Sequence, residues 1–96
     1  MEQKQIDEWK EKHGKVFVCS ADDGETAYFR KPTRTELSYA LALQANNKSI
    51  EMIEHILKSC YLGGSRVFLE DTDYMLGAAD LVNSLVQVKH VEVKNL

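Results

Sequence analysis

Tyr28-Phe29-Arg30-Lys31-Pro32-Thr33-Arg34-Thr35-Glu36-Leu37 is the stretch that divides the chain. An apolar strand pattern ends in it, a single proline interrupts backbone pairing, and a capped helix begins. Pro32 has no N–H to offer a sheet ladder, while its fixed φ suits the step just before a helix. A strand arriving from the N-terminal side therefore ends by Lys31. Thr33 and Glu36 hold the spacing of a capping box, in which the Thr hydroxyl accepts from the Glu backbone N–H and the Glu carboxylate reaches back. The junction reads strand, then helix, and by itself names no chemistry.

Upstream of it, Val16-Phe17-Val18-Cys19 and Ala27-Tyr28-Phe29 flank Asp22-Asp23-Gly24-Glu25, and Asp-Gly is a favoured hairpin turn. With Asp23 and Gly24 as the two turn residues, counting outward pairs Val18 with Phe29, Cys19 with Tyr28 and Val16 with Lys31. Val16, Val18, Ala27 and Phe29 then share one face, and Phe17, Cys19 and Tyr28 the other. Both faces are apolar. Because a lone hairpin is marginal, one face needs the helices of this chain and the other a cover, either the first helix or a partner subunit. That first helix spans residues 3–13, mostly polar, with Ile6, Trp9 and His13 on one side and Gly14 where helices commonly stop.

Downstream, residues from Thr33 to about Ala45 read as a helix with Leu37, Ala40, Leu41 and Gln44 in line and Tyr39 and Leu43 on a second side. Asn46-Asn47-Lys48-Ser49 breaks it. A second helix from about Ile50 to Tyr61 aligns Ile50, Ile53, Ile56, Leu57 and Cys60 and stops at Gly63-Gly64. So short a connection predicts an antiparallel helical hairpin. A third helix begins near Asp71 or Thr72, either of which can cap it. Projected at about 100° per residue, its apolar residues, Tyr74 to Val88, cover about half the circumference, more than a small core needs. The tail, Lys89–Leu96, alternates at Val91 and Val93 but is heavily charged, and fits an edge strand, a helix extension or a mobile arm. The expectation is one α+β domain with a β-hairpin packed on three to four helices: an N-terminal helix in 1–14, the hairpin in 15–31, a helical part in 33–88 and a charged tail in 89–96.

At 96 residues, 44% hydrophobic and 28% charged, the chain is one ordinary folded domain, too short for a cleft between domains. A net charge of −3 gives no overall field toward nucleic acid or anionic membranes. The start, Met1-Glu2-Gln3-Lys4-Gln5, lacks the apolar core of a signal peptide and no apolar run reaches membrane-spanning length, so an intracellular protein is expected. Cys19 and Cys60 lack CxxC spacing and read as small buried hydrophobes. His13, His55 and His90 fall on three different elements without ligand spacing, and Asp22-Asp23-Gly24-Glu25 lacks the alternating ligands of a calcium loop. No nucleophile elbow, phosphate loop or zinc-protease helix occurs, so neither enzyme chemistry nor a metal or cofactor is expected. Arg30, Lys31 and Arg34, interleaved with Tyr28 and Phe29, form the one candidate nucleic-acid patch.

The succession of Trp9, Gly14-Lys15-Val16, the Tyr28–Leu37 stretch, Cys60-Tyr61-Leu62-Gly63-Gly64 and Leu69-Glu70-Asp71 resembles phage and prophage tail assembly chaperones, over about Trp9 to Val88. The resemblance implies a non-enzymatic protein of the infected bacterial cytoplasm that coats apolar stretches of the tape-measure protein, helps recruit tail-tube subunits, and is absent from the finished virion. It also implies self-association, and many relatives have a longer form made by ribosomal frameshifting, of which this chain would be the short counterpart. The resemblance carries no catalytic residues with it. Side chains off the core stripes, or at the edge of an overly wide one, are then the candidate protein-binding residues: Phe17, Tyr28, Tyr39, Leu43, Leu76 and Leu81. The alternative is a small regulator or nucleic-acid-binding module using Arg30, Lys31 and Arg34.

Overall fold

A computed structural model describes residues 3–86 and 91–96. Helix α1 (Gln3–His13) precedes strands β1 (Val16–Ser20) and β2 (Thr26–Arg30), followed by helices α2 (Arg34–Ala45) and α3 (Ser49–Cys60). Strand β3 (Tyr61–Gly64) comes next, and then three short helices, α4 (Val67–Glu70), α5 (Thr72–Gly77) and α6 (Ala79–Leu85). The fold is α+β, with an antiparallel sheet in the order β1-β2-β3. Its core joins Ala27 and Phe29 of β2 to Ile56, Leu57 and Cys60 of α3 and to Phe68, Met75, Val82 and Leu85 of the last three helices.

The hairpin turn is longer by one residue than a two-residue Asp23-Gly24 turn. Gly24 donates its N–H to the Ala21 carbonyl at 3.0 Å, and Ala21 donates to the Glu25 carbonyl at 2.8 Å. Gly24 has φ +94°. Asp22, Asp23 and Gly24 thus form a three-residue loop, a type I turn closed by a glycine bulge, and the Asp23 carboxylate accepts from the Glu25 N–H at 3.1 Å. The pairs are Val16↔Arg30, Phe17↔Phe29, Val18↔Tyr28 and Cys19↔Ala27, not those expected. A one-residue slip turns a strand over. Phe17 and Cys19 therefore join Phe29 and Ala27 on the core face, while Val16 and Val18 stand with Tyr28 on the other. Helix α1 covers part of that second face, its Trp9 ring lying 5.7 Å from the Tyr28 ring.

The capping box forms: Glu36 Oε1 accepts from the Thr33 N–H at 2.8 Å and Thr33 Oγ1 accepts from the Glu36 N–H at 3.3 Å. Helix α2 ends at Ala45, and Asn47, at φ 60°, lets the chain reverse. The residues expected as the end and stop of the next helix behave differently. Helix α3 stops at Cys60, and Tyr61–Gly64 become a third strand, with Tyr61 opposite Phe29, Gly63 opposite Tyr28 and Gly64 opposite Ala27. Gly64 serves close approach, since a Cβ there would lie 2.5 Å from the Thr26 carbonyl oxygen and 2.8 Å from the Ala27 Cα.

The third long helix is divided. Asp71 caps α5 by accepting from the Asp73 N–H at 2.9 Å, but the helix ends at Gly77 and α6 starts anew at Ala79. Glycine is a poor helix-interior residue, so the break falls where helix is weakest. Met75, Ala78, Val82 and Leu85 are all buried in the core, and their spacing of three, four and three residues keeps them on one face across the break. Tyr74, Ala79, Leu81 and Val86 beside them are half-buried, so the surplus apolar face expected of that helix is largely covered, although Val88, its last residue, lies outside the described ones. In the tail, Val91–Leu96 have no regular structure and are exposed. Among the described residues, no helix is long and apolar enough to cross a membrane.

Glycine at 64 combines φ +99° with backbone contact, whereas Gly14 combines φ +82° with open space around the missing Cβ. Gly64→Ala should cost about 3 kcal/mol and Gly14→Ala about 1 kcal/mol, read as shifts in the urea midpoint. Equal costs would show that β3 does not depend on this close approach.

Candidate protein-binding surface

One arginine sets the helical hairpin against the sheet. Arg30, the last residue of β2, donates from Nη1 and Nη2 to both oxygens of Glu36 in the first turn of α2, each at 2.9 Å. Nη2 also donates to the Ser59 carbonyl near the end of α3 at 2.7 Å, and Nη1 to the Lys31 carbonyl at 3.0 Å. The hydrogen bonds from Arg30, joined by one from the Thr33 backbone, hold the Glu36 carboxyl down to about 2 despite partial burial. Of the cationic trio, Arg30 is thus committed inside the domain, while Lys31 and Arg34 are exposed.

From this anchor α2 and α3 run antiparallel. His55 of α3 donates from Nε2 to the Glu36 carbonyl at 3.2 Å, since that oxygen can only accept. Its ring lies 4.6 Å from the ring of Tyr39, tilted by 57°. These rings and Leu43 form the apolar part of an open groove of about 610 Å³, with Glu51, Glu54, Lys58 and Ser59 along its α3 side. Lys58 and Glu54 pair across one turn at 3.5 Å. Tyr39 is 57% exposed. Leu41 and Ile50, expected on the core stripes of their helices, are 56% and 55% exposed. On α2 only Ala40 is fully buried, because α3 is its main packing neighbour.

The six candidate residues do not form one patch. Tyr39 and Leu43 meet in the α2–α3 groove. Phe17 and Leu81 pack against the core, Phe17 because of the turned-over strand and Leu81 because it borders the buried Val82 and Leu85 on α6. Tyr28 lies half-buried beneath Trp9. Leu76 is 45% exposed on α5, apart from the groove residues in the chain and absent from the groove lining. His55, set aside in the sequence for want of ligand spacing, is the residue the sequence undervalued; its spacing of four from Glu51 and Ser59 on the polar side of α3 was the available signal.

A second cavity, of about 360 Å³, opens between the β1 end of the hairpin and helices α4 and α5, with Cys19, Phe68 and Tyr74 in its wall. The Tyr74 hydroxyl donates to the Asp23 carboxylate, which pushes the phenol up to about 12 and holds the carboxyl below its ordinary range. Both cysteines are free thiols; Cys60 is buried, and burial raises it to about 11. Among the described residues, no three His, Cys, Asp or Glu side chains come together as a metal site; His90 lies outside them.

Comparison with family models, with curated proteins and with solved structures finds no match to this chain.

Glu36 both caps α2 and holds Arg30, so Glu36→Ala should lower stability by about 2 kcal/mol at neutral pH. The carboxyl falls from an ordinary 4.5 to about 2 on folding. Its contribution is therefore complete above 4.5 and is lost as the pH drops through about 2. Urea midpoints followed downward from neutral pH should fall more steeply for the wild type than for Glu36→Gln; parallel curves would mean the pair is not coupled to folding.

Proposed function

We propose that this chain is a non-enzymatic tail assembly chaperone of a phage or prophage, working in the host cytoplasm and left out of the finished virion. It covers apolar helical segments of the tape-measure protein and helps bring tail-tube subunits to it. The observation that carries this reading is the α2–α3 groove, where Tyr39, Leu43 and His55 lie open beside a rim of mixed charge. A groove between two helices suits an amphipathic client helix, which presents apolar anchors at intervals of three and four residues. Acidic and basic groups on one rim accept clients of varied sequence, and half-exposed apolar contacts give binding that can be reversed. The resemblance in the Tyr28–Leu37 and Cys60–Gly64 stretches supports the same assignment, and self-association belongs to it.

The client surface is centred on Tyr39 and Leu43. Phe17 and Leu81 are used by the protein's own core, and Tyr28 is partly covered by α1. The reading as a nucleic-acid module is weakened by the commitment of Arg30 to Glu36 and Ser59, which leaves two exposed cations of the trio for phosphate contacts.

Co-expression with the tape-measure protein of the same phage or prophage should raise that partner's soluble fraction. Tyr39→Asp/Leu43→Asp should abolish the gain while keeping the domain folded, because Tyr39 stands mostly in solvent and Leu43 only half-buried. Equal solubility with both forms would move the client site elsewhere, and no gain from the wild type would overturn the assignment. A gel-shift assay at physiological salt should show no submicromolar affinity for DNA or RNA; tight binding lost in Lys31→Ala/Arg34→Ala would favour the regulator reading.

A further inference from the structure

Among the described residues, β1 is an edge strand with no neighbour on its outer side. The Ala21 bond to Glu25 fixes the phase of the β1–β2 ladder. Bonded and non-bonded pairs alternate along an antiparallel ladder, so Cys19 bonds Ala27 and Phe17 bonds Phe29. The Thr26 carbonyl accepts from Ser65 on the opposite side of β2, at 2.7 Å, in agreement with that phase. The N–H and C=O groups of Val16, Val18 and Ser20 consequently point away from β2. Among the described residues, no backbone hydrogen bond reaches them from that side. Val16–Ser20 holds no proline or charged residue, the usual protections of an edge. Beside the edge, between α1 and β1, a groove of about 240 Å³ is walled by Ile6, Val16, Val18 and Tyr28.

The tail has the matching pattern. In Val91-Glu92-Val93-Lys94 the two valines fall on one face of an extended chain, at the spacing that separates Val16 from Val18. Both are largely in solvent, Val93 at 88%. Helix α6 contacts β1, so the tail follows an element close to its own edge. Even so, no described residue pairs with that edge and those valines are exposed, which points to another copy as the occupant.

We propose that Val91–Lys94 of one copy adds as a strand to β1 of a second copy, with Val91 and Val93 seated in the α1–β1 groove next to Val16 and Val18. Main-chain hydrogen bonds supply the attraction and the groove sets the register. Glu92 and Lys94 then lie on the opposite face of the added strand. Reciprocal exchange closes a dimer, and exchange that does not close builds a longer row of copies. This rests on the chaperone reading for self-association as such, adds the contact that produces it, and uses none of the client residues.

Size exclusion with light scattering on the full chain should give a dimer or larger species at micromolar to submillimolar concentration. Val91→Asp/Val93→Asp, placed in an exposed segment, should give a monomer with unchanged circular dichroism. Val18→Pro should do the same, because it removes an outward N–H and leaves the β1–β2 bonds in place. Amide exchange at Val18 should be about tenfold faster or more in the tail variant than in the wild type. A monomeric wild type, or association indifferent to the tail variant, overturns the proposal. So does a monomer whose Val18 amide is protected by the tail, since that places the strand on its own chain. The co-expression result is independent of all these outcomes, because Tyr39 and Leu43 lie outside the edge and its groove.

Discussion

The guanidinium of Arg30 is the point on which the geometry depends. Its planar fork reaches the end of β2, the first turn of α2 and the last turn of α3 at once, through Glu36 and the Ser59 carbonyl. A lysine could reach one of these partners but could not give the same paired bonds to a carboxylate. Charge-assisted bonds of this kind are roughly twice as strong as neutral ones. The pair is not fully buried, with side chains 20% and 22% exposed, so the desolvation that burdens a deeply buried pair is limited here. Because Glu36 also completes the capping box, the start of α2 and its attachment to the sheet share one carboxylate. The orientation of the α2–α3 groove follows from that attachment.

Features whose cause is local were legible in the sequence. The Thr33–Glu36 cap, the stop at Gly14 and the break expected over Asn46–Ser49 all rest on residues close together in the chain, and all occur, with Ser49 already the first residue of α3. The register did not share this property. Asp-Gly serves both a two-residue turn and a three-residue loop with a glycine bulge, and only the inclusion of Asp22 separates them. That choice turned over β1 and moved Phe17 from the presumed surface to the core. Tyr61–Gly64 is too short and too glycine-rich to show strand alternation, because its pairing comes from approach to β2, far away in sequence. The break between Gly77 and Ala79 likewise leaves no mark in the apolar pattern, because Met75, Ala78, Val82 and Leu85 keep their helical spacing across it.

The same distinction governs the candidate surface. Tyr39 and Leu43 stand off the α2 stripe in the sequence pattern, and both line the groove. The exposure of Leu41 and Ile50 has no such mark, since periodicity tells which way a residue faces and not whether a neighbour stands there to bury it. Helix α2 has α3 on one side and little else, so its buried stripe narrows to Ala40. His55 was obscure for a related reason: its partners, the Glu36 carbonyl and the Tyr39 ring, lie across the helical hairpin.

The two open features of the molecule attract by different physics. An apolar groove with a charged rim recognises side-chain character and tolerates many sequences, while a strand edge recognises the main chain and is specific only through register. On the proposed chaperone reading, a protein that holds a long client and later releases it gains from keeping each groove contact weak. If copies are joined through their edges, successive grooves lie along one assembly, and a long helical client meets the second groove at a raised effective concentration once the first is filled. Retention would then come from the number of grooves engaged, and release could proceed one groove at a time.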